Sequence, residues 1–172
     1  LHKPVQCELG GKNPIIVLSD GDVEMAALAC AQGAFGSTGQ RCTATSRAIV
    51  DDTVAEDFVE RVLAHARGMV PGHPLNERTT MGPSVSERQM EKVLSFHAIA
   101  RDGGATVPTG GGRATTDGLD RGFFPLPTVY DHVAPDARVA CEEIFGPVLS
   151  VIRVGDSDAA LHAANAVPFG LT

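Results

Sequence analysis

A cysteine inside the segment FGSTGQRCTATSR (residues 35–47) is the first residue of this sequence that could do chemistry. Cys42 could act as a nucleophile if neighbouring backbone N–H groups stabilise its thiolate. Gly36 and Gly39 allow the backbone to approach closely and turn sharply. Residues 43–45 are predicted to form a helical turn whose amides face the thiol and could also stabilise an oxyanion. Cys42 could equally be a small buried side chain beside a turn, since free cysteine is often buried.

A glutamate lies in the segment QCELGGKNP (residues 6–14), directly before a predicted buried strand. A carboxylate at the mouth of a buried sheet is costly unless it has a partner or a chemical role. Glu8 could therefore be a general base that burial makes stronger, or a structural residue that pairs with Lys12. The residues alone leave both interpretations open.

Two adjacent carboxylates, followed by a phenylalanine and a Gly-Pro turn, precede another predicted strand in CEEIFGPVL (residues 141–149). Consecutive side chains of an extended backbone face opposite ways. Glu142 and Glu143 are therefore predicted to have different roles.

The elements that must position these side chains alternate between strands and helices. Apolar runs predict strands at 13–18, 47–52, 105–107, 124–130 and 148–154. Helical periodicity predicts helices from Asp22 to Gly36 and over 158–165, and capping-box patterns at 53–56 and 84–87 predict the starts of two more. Strands separated by helices of this length predict an α/β domain with a largely parallel sheet.

The composition limits the possible function classes. The chain has 172 residues, enough for one domain with its own core, and its net charge of −7 gives no electrostatic basis for binding nucleic acid or an anionic membrane. No apolar run approaches the ~20 residues needed to span a bilayer. The cysteines are scattered and the histidines lack metal-ligand spacing, so we expect reduced thiols, a cytoplasmic location and no metal site.

Taken together, the three segments resemble the aldehyde dehydrogenase superfamily in their order, spacing and residue identity. The motifs are ELGGKNP, FGSTGQRC and EEIFGPV, and the segments PTVYDHVAPDARVACEEIFGPVL and NAVPFGLT are similar to later parts of the same family. The resemblance covers essentially all of residues 1–172. It implies that the α/β fold is a three-layer αβα catalytic domain.

The resemblance also implies a reaction and the residues that perform it. An aldehyde would be oxidised to a carboxylic acid with NAD or NADP as the cofactor. Cys42 would be the nucleophile, and Glu8 would be the base that hydrolyses the resulting thioester. The cofactor-binding residues would be Glu143 on the nicotinamide ribose, Phe145 near the nicotinamide ring, and Leu9 and Gly10.

A further expectation concerns the substrate and the parts of the enzyme outside this chain. The segment FGSTGQRCTATSR is similar to the 2,5-dioxovalerate (α-ketoglutaric semialdehyde) dehydrogenase branch, which implies a small semialdehyde substrate. The family's cofactor-binding domain and oligomerising arm would lie outside residues 1–172. We therefore expect a segment of a longer, homo-oligomeric enzyme that is inactive by itself.

Two other function classes are compatible with a reactive or buried cysteine. A cysteine-dependent hydrolase or esterase would need a histidine near Cys42, and His2, His65 and His97 are candidates. A non-catalytic assembly module would need Cys42 only as part of its core. The hydrolase has no use for the EEIFGP motif, and a non-catalytic relative would be expected to have lost Cys42 or Glu8.

Overall fold

The computed structural model of this protein describes residues 2–171, which form a five-stranded sheet in the order β1-β2-β5-β4-β3. The pairs β1–β2, β2–β5 and β4–β5 are parallel, and only β3 runs antiparallel, against β4. The prediction of a largely parallel sheet is therefore confirmed. The strands are β1 (Asn13–Val17), β2 (Thr45–Asp51), β3 (Thr106–Thr109), β4 (Thr128–Asp131) and β5 (Val148–Val154).

Helices cover both faces of this sheet, which gives the predicted three-layer αβα arrangement. The helices are α1 (Val23–Phe35), α2 (Ala55–Gly68), α3 (Glu87–Asp102), α4 (Arg138–Cys141) and α5 (Ser157–Asn165). Alternation along β2 separates two cores: Ala48 and Val50 pack with α1 and α2, whereas Ile49 packs with α3, α4 and α5. Within residues 2–171, no helix is both long and apolar enough to cross a membrane.

The predicted capping boxes do not start their helices. The Thr53 hydroxyl donates to Asp51 at 2.6 Å, and Val54 is the N-cap of α2 without a side-chain hydrogen bond. Helix α3 starts two residues later than predicted, because the Ser86 side chain accepts the Gln89 N–H at 3.3 Å. The predictions at 53–56 and 84–87 were therefore wrong in detail, although a helix follows each segment.

The strand predicted at 124–130 is shorter in the structure. Strand β4 begins at Thr128, because Pro125 and Pro127 have no N–H to donate to a strand ladder. The Thr128 N–H is the first in this stretch to bond towards β5, with the Pro147 carbonyl at 2.9 Å.

A buried arginine connects the start of the sheet to the last helix. Arg47 is fully buried and donates to the carbonyls of Lys12 (2.8 Å), Ala163 (2.8 Å) and Ala164 (2.9 Å). Five N–H donors in a fixed fork suit a guanidinium to this task. The chain entering β1 is thereby held against β2 and the carboxyl end of α5.

His97 of α3 is a structural residue of the second core. Its Nδ1 lies 2.6 Å from the Tyr130 hydroxyl, and the side chain is 3% exposed. Burial, reinforced by the charge of Arg101, lowers the pKa of His97 from 6.5 to about 4. The histidine is therefore neutral in the folded protein at neutral pH.

We predict that His97 makes the fold acid-sensitive. The unfolded chain binds a proton at His97 below pH 6.5 and the folded chain only near pH 4, so stability falls as the pH drops through this window. The contribution of one such group changes by at most about 1.4 kcal/mol per pH unit. Urea unfolding between pH 7.5 and 4.5 should show a shallower pH dependence for His97→Gln than for the wild type. Equal pH dependences would contradict the assignment.

Candidate active site

The three segments that the sequence singles out meet at one edge of the sheet. Residues 8–12 lead into β1, residues 36–44 into β2 and residues 142–147 into β5. These strands are adjacent and parallel, so their amino ends lie at the same edge. Open α/β sheets usually bind ligands at the carboxyl ends of their strands. The cleft of this protein lies at the opposite edge.

An open cleft of about 540 Å³ lies where the segments meet. Every candidate site residue predicted from the sequence lines it, together with Gln40, Arg41 and Thr43. The predicted residues that it brings together are Glu8, Leu9, Gly10, Cys42, Glu143 and Phe145.

Gly11 is the point where the three segments come closest. Its N–H donates to Glu143 Oε1 at 2.8 Å, and a Cβ at this position would lie 2.0 Å from the carbonyl oxygen of Cys42. Such a contact is impossible for a real side chain, so only glycine fits here. At Gly10, an added Cβ would lie 2.9 Å from Glu143 Oε2, the carboxylate oxygen that does not bond to Gly11.

Cys42 lies in a tight turn that follows an unusual stretch of backbone. Ser37 and Thr38 adopt left-handed conformations, and Gly39 (φ +65°) packs so closely on the Gly146 carbonyl that a Cβ would lie 2.0 Å from its oxygen. The Ala44 N–H donates to the Arg41 carbonyl at 3.0 Å, which closes a turn over residues 41–44.

The helical turn predicted over residues 43–45 is wrong, because β2 already begins at Thr45 and pairs with Asn13 there. The expected amide donors are nevertheless present. Within residues 2–171, the N–H groups of Cys42 and Thr43 have no hydrogen-bond acceptor. Two free backbone donors beside a thiol could stabilise a thiolate or a substrate oxyanion.

The other cysteines lie in different environments. Cys30 is buried in the core between α1 and the sheet, and burial raises its pKa to about 12, which keeps the thiol protonated. Cys141 is half-buried, with its Sγ 3.5 Å from the Pro135 carbonyl oxygen, and Cys7 is exposed. Of the four cysteines, only Cys42 lines the cleft.

Glu8 is not buried, contrary to the sequence-based expectation. Its side chain is exposed and accepts a hydrogen bond from Gln6 Nε2 at 3.0 Å. The predicted pair with Lys12 is also absent, because Lys12 is 2% exposed and its Nζ has no hydrogen-bond partner within residues 2–171. The segment before β1 has no regular secondary structure and leaves Glu8 at the open side of the cleft.

The buried amine of Lys12 has an unusual electrostatic environment. Burial and, secondly, the Arg47 guanidinium lower its pKa from 10.5 to about 7, although Cys141, Glu143 and Glu142 act in the opposite direction. No local sequence pattern predicts this burial, since a lysine four residues after a glutamate is usually exposed.

Glu142 and Glu143 have different roles, as the alternation of side chains predicted. Glu142 is exposed and forms an ion pair with Arg138 one helical turn earlier, which lowers the pKa of its carboxyl. Glu143 turns inwards to Gly11. The following residue pair is held by α3, where Gln89 Nε2 donates to the carbonyls of Ile144 (3.0 Å) and Phe145 (2.8 Å).

None of the candidate histidines reaches Cys42. His2 is exposed, His65 lies 3.3 Å from Glu24, and His97 is bonded to Tyr130; no histidine of the described chain lines the cleft. Residues 2–171 also contain no group of three or more His, Cys, Asp or Glu side chains that could hold a metal ion.

Two residues that hold the site in place were not predicted from the sequence. Asn13, the first residue of β1, bonds to the Cys42 turn, and Gln89 bonds to the Glu143 segment from a distant helix. Asn13 is part of the GGKNP motif and could have been flagged for its position next to Lys12. Gln89 is an ordinary polar residue in the first turn of an amphipathic helix, and nothing local distinguishes it.

Comparison with known proteins identifies the family of this chain. Residues 1–172 match the aldehyde dehydrogenase family. Betaine aldehyde dehydrogenase of Brucella anthropi is 44% identical over 169 residues, covering 98% of this chain and 35% of that protein. Alpha-ketoglutaric semialdehyde dehydrogenase of Bacillus subtilis is 42% identical over 167 residues, covering 97% of this chain and 34% of that protein. The chain thus spans about a third of the length of these curated relatives.

Solved structures show the same similarity. A crystal structure of betaine aldehyde dehydrogenase from Staphylococcus aureus in complex with NAD+ matches with a TM-score of 0.92 and 34% identity, covering 95% of this chain and 33% of that one. Gamma-glutamyl-gamma-aminobutyraldehyde dehydrogenase from Burkholderia cenocepacia matches with a TM-score of 0.88 and 44% identity, covering 95% of this chain and 33% of that one. On these findings, the chain belongs to the aldehyde dehydrogenase family.

Proposed function

We propose that the protein carrying this chain oxidises an aldehyde to a carboxylic acid with NAD or NADP, through a covalent intermediate on Cys42. The observation that supports this most strongly is the shared cleft. One cleft, in a chain of this family, contains a thiol, a carboxylate at its open side and a second carboxylate fixed to the backbone.

The first step would be attack of the Cys42 thiolate on the aldehyde carbonyl. The new C–S bond gives a thiohemiacetal, and its oxyanion could accept hydrogen bonds from the free N–H groups of Cys42 and Thr43. A bound oxidised nicotinamide would supply the acceptor for the hydride that leaves the former carbonyl carbon. The product on the enzyme is then a thioester of Cys42.

The second step would release the acid. Glu8 accepts a proton from water, the hydroxide attacks the thioester carbon, and the C–S bond breaks to regenerate the Cys42 thiolate. The exposure of Glu8 is compatible with this role, because the carboxylate is open to water. The overall change consumes one aldehyde, one oxidised nicotinamide and one water.

The residues present fit the nicotinamide half of the cofactor. Glu143 keeps Oε1 on the Gly11 N–H, and within residues 2–171 its Oε2 has no hydrogen-bond donor. Gly10 lies close against this oxygen, since a Cβ there would be only 2.9 Å from it, so no side chain at position 10 covers the carboxylate. A carboxylate in such a position could accept hydrogen bonds from the ribose hydroxyls, and Phe145 lines the same cleft, near where the nicotinamide ring would lie. Leu9, in the same segment as Gly10, would contact the cofactor from the open side.

The remaining parts of the proposal concern the whole protein. Because the chain spans about a third of its relatives, we infer that residues 1–172 are the catalytic-domain part of a longer enzyme. The family resemblance supports the further proposal that this enzyme is a homo-oligomer of the cytoplasm and that the segment is inactive without its cofactor-binding domain. The similarity to the Bacillus subtilis semialdehyde dehydrogenase supports a small semialdehyde as the substrate. The cysteine-hydrolase alternative has no support, since no histidine of the described chain lines the cleft.

The proposal predicts that Cys42→Ala abolishes aldehyde oxidation in the protein expressed from the complete gene. The nucleophile would be lost, whereas cofactor affinity should stay within about threefold, because the ribose contact belongs to Glu143. Absorbance of the reduced nicotinamide, measured with a panel of aldehydes that includes semialdehydes, gives the rate. Cys7→Ala is the matched control, because this exposed thiol lies outside the cleft and its removal should leave the rate unchanged. Substantial turnover by Cys42→Ala would refute the proposed mechanism.

A second prediction separates the two adjacent glutamates. Glu143→Gln can keep the Gly11 N–H bond but presents an amide NH₂ to the ribose, so the pre-steady-state burst of reduced nicotinamide should slow by about tenfold or more. Glu142→Gln is the control, because it removes only an exposed ion pair with Arg138. Equal burst rates for the two variants would contradict the ribose assignment.

A further inference from the structure

The first residue of β1 is bonded to the turn that contains Cys42. Asn13 Nδ2 donates to the carbonyl of Cys42 at 2.7 Å and to the carbonyl of Ala44 at 3.0 Å. Both partners are acceptors, so the amide nitrogen must face them. The side chain is 6% exposed, and its Oδ1 has no partner within residues 2–171. Asn13 therefore uses its donors on this turn alone.

These two bonds fix the orientation of a peptide group beside the thiol. The peptide between Cys42 and Thr43 is planar, so a carbonyl that points to Asn13 directs the Thr43 N–H to the opposite side. That N–H has no acceptor in the described chain. The second bond, to Ala44, holds the other end of the turn where β2 begins.

Besides Asn13, one side chain ties the turn to a distant segment: Arg41 Nη2 donates to the Gly33 carbonyl at 3.3 Å, a long bond from an exposed residue. The backbone of the turn contains one internal hydrogen bond, from the Ala44 N–H to the Arg41 carbonyl, and Arg41, Cys42 and Thr43 are all exposed. Gly11 packs against the Cys42 carbonyl but contributes no donor to it, because its own N–H is used by Glu143. An exposed turn with one internal bond is expected to open easily unless an outside group holds it.

We propose that Asn13 is a positioning residue for the nucleophile: its amide sets the direction of the Cys42 carbonyl, and thereby holds the thiol and the Thr43 N–H in the geometry for attack on the aldehyde. This rests on the proposed function of Cys42. If Asn13 were purely structural, it would stabilise the edge of the sheet equally in every step of the reaction. Its loss would then not slow the acylation step selectively. Asn13 acts through the turn and does not touch the substrate.

The test uses Asn13→Ala, which removes both bonds, and Asn13→Ser, which can donate only one. In the protein expressed from the complete gene, the burst of reduced nicotinamide should slow by about 10- to 100-fold for Asn13→Ala and by a smaller factor for Asn13→Ser, with cofactor KM unchanged. Asn165→Ala is the matched control, because Asn165 is an exposed asparagine that bonds only to Leu161 of its own helix. Its burst should equal that of the wild type.

A second measurement does not depend on activity. Hydrogen exchange of the Ala44 N–H, which bonds to the Arg41 carbonyl across the turn, should be faster in Asn13→Ala than in the wild type, with exchange in β4 unchanged. A burst equal to the wild type in Asn13→Ala, or unchanged exchange of the Ala44 N–H, would overturn the positioning role. If Asn13→Ala does not fold, Asn13→Ser decides by the same two criteria.

The outcomes also separate this proposal from the proposed function. An active wild type that depends on Cys42, combined with a normal burst in Asn13→Ala, overturns only the role of Asn13. A wild type without aldehyde oxidation overturns the proposed function, and with it the catalytic role of Asn13.

Discussion

The candidate site depends on the absence of a side chain at Gly11. Three stretches of chain approach one another there: the Gly11 N–H bonds to Glu143 at 2.8 Å, and a Cβ would lie only 2.0 Å from the Cys42 carbonyl oxygen. Any side chain would separate the thiol segment from the carboxylate segment. The other features of the cleft, including the free carboxylate oxygen and the free amides beside Cys42, depend on this close approach.

The three segments meet for one topological reason. Each of the three motifs immediately precedes an apolar strand, and parallel strands that are neighbours place their amino ends at one edge of the sheet. The alternation of strands and helices predicted the α/β class, whereas the set of residues in the cleft came from the resemblance to the family. Strand order was not predicted, because the pairing of β2 with β5 depends on contacts between residues that are distant in the chain.

What could not be predicted depends on local competition or on distant contacts. The capping box at Thr53 was wrong because the hydroxyl bonds back to Asp51 instead of forward to the helix. Glu8 was expected to be buried, but its segment has no regular structure and leaves the carboxylate exposed. The bonds from Gln89 to the Glu143 segment cross a long stretch of chain, so no local pattern reveals them.

The central claim is that Cys42 carries the acyl group and Glu8 releases it. Mass spectrometry of the Glu8→Gln protein, expressed from its complete gene and mixed with aldehyde and oxidised nicotinamide, tests this directly. Without the base, thioester hydrolysis should slow by about 100-fold or more, so the acyl group should accumulate on the peptide that contains Cys42. An unmodified Cys42 peptide at the end of the burst, or an acyl group on Cys7 or Cys141 instead, would contradict the account.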